Sequence, residues 1–127
     1  METSIRIAVR WRDLDMLGHL NQAVYHEYLE EGRGALFERS GGLDHFPFVL
    51  ARVELDHRHE IRRDHGHVDV VARVGRIGTK SVTVEQELVL PDGTIAAQGS
   101  SVLVAWDADS RAPRPLSERE RTALGTD

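Results

Sequence analysis

The chain of 127 residues contains no cysteine. That single absence excludes disulfides, thiolate-ligated metals and a cysteine nucleophile. Positive charge is not in excess either. Sixteen Lys and Arg stand against 21 Asp and Glu, a net charge of −5, so nucleic acid binding has no bulk electrostatic support. Long apolar runs are missing too. None approaches membrane-spanning length, and METSIRIAVR at the start has no apolar segment of signal-peptide type. The expectation is a cytoplasmic protein that binds neither nucleic acid nor membrane.

What is present is ordinary for a globular chain, with 40% hydrophobic and 29% charged residues. The length suits one domain over residues 1–127, able to bury roughly two-thirds of the surface of its unfolded chain.

Ser4 to Arg12 alternates Ile5, Ile7, Val9 and Trp11 with polar or small residues, the period of a half-buried strand. Asp13 to Leu20 breaks that pattern, contains Gly18 and reads as a loop. Asn21 is a good helix N-cap. From Gln22 to Arg39 the residues Val24, Tyr25, Tyr28, Leu29, Gly32, Ala35 and Leu36 form a helical stripe. Small Gly32 and Ala35 mark where this helix should lie closest to a sheet, and Ser40-Gly41-Gly42 should stop it. Strand character resumes after Phe46. Phe48–Arg62 is β-rich, with Val49, Ala51, Val53 and Leu55 expected on one face. His67–Ile77, Lys80–Leu90 and Thr94–Asp107 follow, separated by turns at Asp64-His65-Gly66, Gly78-Thr79 and Pro91-Asp92-Gly93. Ser110–Pro115 reads as a linker, and Ser117 with Glu120 makes a capping box for a short terminal helix. The predicted class is α+β: one long helix wrapped by a curved five-stranded antiparallel sheet, plus a short C-terminal helix.

Chemistry concentrates in Trp11–Arg33. Asp13, Asp15, Gly18, His19 and Asn21 immediately precede a helix N-terminus, where unpaired N–H groups carry partial positive charge. Asp13 and Asp15 either fix a turn through Asx-type hydrogen bonds or supply a nucleophile or general base. His19 alone is more often a loop hydrogen-bonder than a catalyst. Tyr25 and Tyr28 suit a core or a pocket wall. Phe48, Val53 and Leu55 fit either a ligand pocket or a core without one. Asp56-His57-Arg58-His59 and Asp64-His65-Gly66-His67 raise a metal reading, since His57 and His59 would share a strand face. Exposed strand and turn histidines explain the same letters, and no metal is expected.

Asp13-x-Asp15-x-x-Gly18-His19-x-Asn21-x-x-x-Tyr25, then Tyr28-Leu29-Glu30-Glu31-x-Arg33, resembles the opening signature of the hotdog-fold acyl-CoA thioesterases of the 4-hydroxybenzoyl-CoA thioesterase type. It is also similar to the start of plant acyl-carrier-protein thioesterases. Ile77-Gly78-x-Lys80-Ser81, Asp92-Gly93, Ala97-x-Gly99 and Arg111–Leu116 extend the resemblance along most of the chain. The resemblance implies that Asp15 attacks a thioester carbonyl or activates water. It further implies that the Gln22 N–H polarises the thioester oxygen and that Gly18 allows close approach. His19 departs from the 4-hydroxybenzoyl-CoA type and agrees with a wider Gly-His-x-Asn subgroup; its role is open between orienting Asn21 and orienting the attacking water. Asn21, Tyr25, Arg62, Arg63, Lys80 and Ser81 are the expected substrate and coenzyme A contacts, the cations suiting phosphate. No cofactor is implied, and a homodimer or homotetramer is. The alternatives are a non-catalytic acyl-thioester binding module and a thioesterase acting on acyl-carrier protein. Hydratase chemistry is disfavoured, because Gly18–Asn21 does not resemble its signature.

Overall fold

The computed structural model describes residues 1–41 and 47–125. Five strands form one antiparallel sheet: β1 (Glu2–Ala8), β2 (Phe48–His57), β3 (His67–Ile77), β4 (Ser81–Val89) and β5 (Ile95–Asp107), in the spatial order β1-β3-β4-β5-β2. A sixth, two-residue strand β6 (Ala112–Pro113) pairs with Trp106 and Asp107 inside the stretch read as a linker. Helix α1 (Gln22–Arg39) lies on one sheet face and α2 (Glu118–Leu124) closes one end.

Helix α1 has the expected bounds. Asn21 caps it by accepting the Ala23 N–H at 3.0 Å. At the other end the Ser40 N–H bonds the Phe37 carbonyl, and Gly41 follows at φ +87°. Gly42 of the expected stop and Phe46 lie outside the described residues. The helix buries Tyr25, Tyr28, Leu29, Gly32, Arg33, Leu36 and Phe37. Its first half packs on Val68, Val70, Leu88, Ala96 and Ala97, and its second half on Ala72, Val82, Val84, Leu103 and Ala105. Gly32 sits at the closest approach: a Cβ there would stand 2.5 Å from Val70 Cγ1. Beside it Arg33 is buried, its Nη1 donating to Gln86 Oε1 at 3.2 Å and Ser101 Oγ at 3.1 Å, while Gln86 Nε2 donates to the Leu29 carbonyl at 2.9 Å. A satisfied polar layer therefore separates the two apolar clusters.

Two strands end well short of expectation. Strand β1 ends at Ala8 rather than Arg12, because Asp13 accepts the Arg10 N–H at 3.1 Å and winds Trp11–Asp13 into a 3-10 turn. Trp11 leaves the sheet, 73% exposed. Strand β2 ends at His57 rather than Arg62, since the Arg58 and His59 N–H groups both turn onto the Ala96 carbonyl. A bulge between Leu50 and Arg52 also breaks the expected Val49–Ala51–Val53–Leu55 face. Phe48, Leu50, Val53 and Leu55 stand opposite Ala105, Leu103, Ser101 and Gly99, and so share the helix side of the sheet.

Helix α2 starts at the expected capping box, Ser117 Oγ accepting the Glu120 N–H at 3.1 Å and Glu120 Oε1 the Ser117 N–H at 2.8 Å. Both Glu120 oxygens also take Arg114 N–H groups at 2.8 Å. The Arg114 hydrogen bond outweighs burial and holds Glu120 at about 2. A carboxylate depressed on folding stabilises above its unfolded pKa of about 4.3 and loses that contribution as pH falls towards the folded value. Acid titration of wild type is thus expected to show a stability loss on the order of 2 kcal/mol between about pH 4.5 and 2 that Glu120→Gln lacks. Equal acid sensitivity of the two proteins would contradict this.

Candidate active site

The loop between β1 and α1 is a small ladder. The Asp13 carbonyl accepts the Asn21 N–H at 2.9 Å, Leu14 bridges Leu20, and the Asp15 N–H bonds the His19 carbonyl at 2.8 Å. The ladder closes in a turn at Asp15–Gly18, where the Gly18 N–H reaches the Asp15 carbonyl at 3.2 Å and Gly18 takes φ +79°. That positive φ is the local reason for a glycine. The outer side of the ladder is tied down by the Leu20 N–H to the Ile61 carbonyl at 2.8 Å and by a bridge between His19 and Arg62.

The two loop aspartates do different things. Asp13 is 3% exposed. Its Oδ2 accepts the Tyr28 hydroxyl at 2.6 Å and the Arg10 N–H and Nε–H, each at 3.1 Å. Burial pushes this carboxyl up, but the Tyr28 and Arg10 hydrogen bonds prevail and hold it below the usual carboxylate value. Tyr28 is pushed well above the usual phenol range by burial and by Asp13. The pair is therefore a neutral phenol donating to an ionised carboxylate. Asp15 is exposed. Its Oδ1 accepts the Leu17 N–H at 2.9 Å and the His19 N–H at 3.1 Å, whereas Oδ2 accepts no hydrogen bond among the described residues.

Asp15, His19, Leu20, Gln22, Tyr25, His57, Arg58, His59 and Glu60 line one cleft of roughly 350 Å³. A second and more apolar cleft opens on the other side of Asp15, between Trp11, Leu14, Met16 and Asn21. Of the first three helical N–H groups, Ala23's goes to Asn21 Oδ1 and Val24's to the Asn21 carbonyl. The Gln22 N–H has no partner among the described residues. Asp15, with its unpaired carboxylate oxygen, and Gln22, with its unpaired helix N–H, thus line one cleft, and acyl transfer requires these two elements. Tyr25 forms the floor, 5% exposed and edge-on to His57 at 4.5 Å between ring centroids. Burial first, then the Asp15 and Glu60 charges, raise its pKa, so it serves as a neutral wall.

The other expected contacts divide by position. His19 reaches Glu60, Nε2 to Oε1 at 3.7 Å. Arg62 sits at the cleft end, but its guanidinium is bound to Asp64 at 2.9 Å and Glu60 at 3.2 Å. Arg63 is exposed and makes no ion pair among the described residues. Lys80 and Ser81 lie at the Ile77 end of the sheet, beside the second half of α1, and do not meet Asp15 within one chain. His57 and His59 diverge, one edge-on to Tyr25 and the other facing His65 at 6.1 Å. No group of three or more His, Asp or Glu among the described residues converges as a metal site. Sequence reasoning missed residues 57–60 as a cleft wall. The only signal was their charge and imidazole content, and it takes the turn onto Ala96 to bring them over Tyr25.

Comparison with known proteins bears on the family and the fold. Residues 9–124 match the model of the thioesterase-like superfamily. A thioesterase of Thermus thermophilus, solved in complex with coenzyme A and Zn, is 35% identical over 97% of each chain, with TM-score 0.87. A predicted thioesterase from Bacillus stearothermophilus is 27% identical over 98% of this chain and 95% of that one, with TM-score 0.86. A thioesterase-superfamily protein from a Jannaschia species shares the fold, with TM-score 0.87 at 21% identity over 97% of this chain and 90% of that one. No curated protein matches the sequence.

Proposed function

The chain belongs to the thioesterase-like superfamily, and from that premise we propose that it hydrolyses acyl-CoA thioesters to the free acid and coenzyme A. The observation that carries the reading is that one cleft is lined by Asp15, whose Oδ2 is unpartnered, and by Gln22, whose N–H is unpartnered among the described residues. The thioester carbonyl oxygen would sit on the Gln22 N–H, which strengthens its hold as negative charge develops there. Asp15 Oδ2 would attack the carbonyl carbon, or take a proton from a water that does. In the first route the C–S bond breaks as an acyl anhydride forms on Asp15. Water then cleaves the anhydride, freeing the acid and Asp15 and supplying the proton that the thiolate takes up. In the second, the water oxygen replaces sulfur on the carbonyl carbon, and the proton held by Asp15 passes to the departing thiolate. The T. thermophilus relative, solved with coenzyme A, supports this thiol carrier. Arg58 on the cleft wall and exposed Arg63 nearby are the cations available for its phosphates.

The reading includes a homodimer or homotetramer. Strand β2 is a sheet edge with Val49 39% and Leu50 48% exposed, and Trp11, Met16 and Leu17 are exposed beside Asp15. An unpaired edge with apolar side chains invites a second strand. A two-fold antiparallel pairing of β2 would bring the start of the partner's β2 to the His57 end, next to this cleft, and would also carry Lys80 and Ser81 of the second copy closer to it. The purified protein is expected to sediment as a dimer or tetramer. A fully active monomer would overturn the shared-site arrangement.

Thiol release from a panel of short, long and aromatic acyl-CoAs, read with a thiol-reactive dye, tests the activity. No release from any of them, with binding still seen by calorimetry, would mean a binding module instead.

A further inference from the structure

Asp13 is tied to both halves of the cleft without entering it. Its N–H donates to the Arg10 carbonyl and its carbonyl accepts the N–H of Asn21, each at 2.9 Å. Asn21 is the N-cap, so fixing its N–H fixes where the next N–H, that of Gln22, points. On the other side Asp13 begins the ladder in which Leu14 bridges Leu20 and Asp15 bonds His19. Its carboxylate oxygen is held by Tyr28, nearly two turns into α1, through a 2.6 Å hydrogen bond of charge-assisted length. The 3-10 turn and the Arg10 donors complete the enclosure.

We propose that Asp13, Tyr28 and Arg10 form a buried positioning clamp that sets the Asp15 carboxylate against the Gln22 N–H. None of the three lines the Asp15–Gln22 cleft, so none is a catalytic residue. The role follows from connectivity. Without the Tyr28 hydroxyl the Asp13 carboxylate is held only by Arg10. The single Asn21 N–H to Asp13 carbonyl bond is left to tie Asp13 to the helix start, and the loop can shift against the helix N-terminus. A displacement of about 1 Å between reacting groups costs up to roughly a hundredfold in rate. Helix α1 itself does not depend on the clamp, being packed along its whole length on the sheet.

The proposal rests on reading the cleft as a thioesterase site, and its test separates the two. Tyr28→Phe keeps the buried ring and removes only the hydroxyl. It is expected to lower kcat about tenfold or more while leaving KM within about twofold, the pattern for lost transition-state geometry with retained substrate binding. Arg10→Met keeps the Arg10 N–H and should lower kcat less. Amide hydrogen exchange gives a readout independent of activity: the His19, Leu20 and Asn21 amides should exchange faster in Tyr28→Phe, with Leu29–Leu36 unchanged. Wild-type kcat in Tyr28→Phe overturns the clamp, whatever the exchange data. Faster exchange at Asn21 in a protein whose wild type releases no thiol keeps the clamp and removes the thioesterase reading.

Discussion

Asp15→Asn is expected to lower thiol release by at least about a hundredfold, the usual effect of removing a positioned base or nucleophile. The substitution is well matched to the site. An asparagine carbonyl oxygen can still accept the Leu17 and His19 N–H groups that Oδ1 accepts now, at 2.9 and 3.1 Å. The turn and its ladder therefore survive, and the amide nitrogen takes the place of the unpartnered Oδ2. An amide is neither basic nor nucleophilic at neutral pH, so chemistry is lost while geometry is kept. The expected signature is a fall in kcat with unchanged thermal unfolding and retained acyl-CoA binding. Activity near wild type in this variant would remove Asp15 from the mechanism. Asp13→Asn should behave differently, because that side chain is 3% exposed and accepts three hydrogen bonds on one oxygen. It is expected to lose stability as well as rate.

The contrast between the two aspartates marks where sequence reading reached and where it stopped. Two carboxylates separated by Leu14 beside a helix start were visible as letters, and the family resemblance pointed to Asp15. What distinguishes them is Tyr28, fifteen residues beyond Asp13, whose hydroxyl donates to Asp13 and not to Asp15. No local pattern encodes that pairing. Helix α1 was legible to the residue because an N-cap asparagine and a continuous stripe agree with each other, and agreement between levels is what makes a segment predictable. The capping box of α2 was legible for the same reason. Strand β2 was not. Its bulge falls around Ala51, with no glycine or proline to mark it, and shifts which alternate residues face the helix. Lys80 and Ser81 are expected contacts of coenzyme A, yet the β3–β4 register puts them at the far end of the sheet within one chain. Burial of Arg33 was also hidden, because its partners Gln86 and Ser101 are 53 and 68 residues away.

Gly99→Ala is expected to be the most damaging single-methyl change in the strands. A Cβ at Gly99 would lie 1.8 Å from the Glu54 carbonyl oxygen, 2.8 Å from its carbon and 2.9 Å from Leu55 Cα. All three obstacles are backbone, so no rotamer change can relieve the overlap. Strand β2 would have to move away from β5 along the paired stretch Val53–His57. Overpacking commonly costs about 1–3 kcal/mol and occasionally more, and a rigid backbone obstacle belongs at or above the top of that range. A loss of about 3 kcal/mol or more is expected in denaturant unfolding. Gly34→Ala is the control, since a Cβ there meets nothing within 4 Å. In a helix interior that change should stabilise by roughly 0.5–1 kcal/mol. If both substitutions proved equally mild, the close approach of β5 to β2 would be wrong. The same displacement has a functional consequence, because β2 leads directly into His57–Glu60, the wall opposite Asp15. Folded Gly99→Ala protein, recovered at low temperature, should bind acyl-CoA poorly while its Asp15 loop stays intact. That outcome would raise KM, whereas loosening the Asp13 clamp lowers kcat, so the two halves of the cleft can be told apart by kinetics alone.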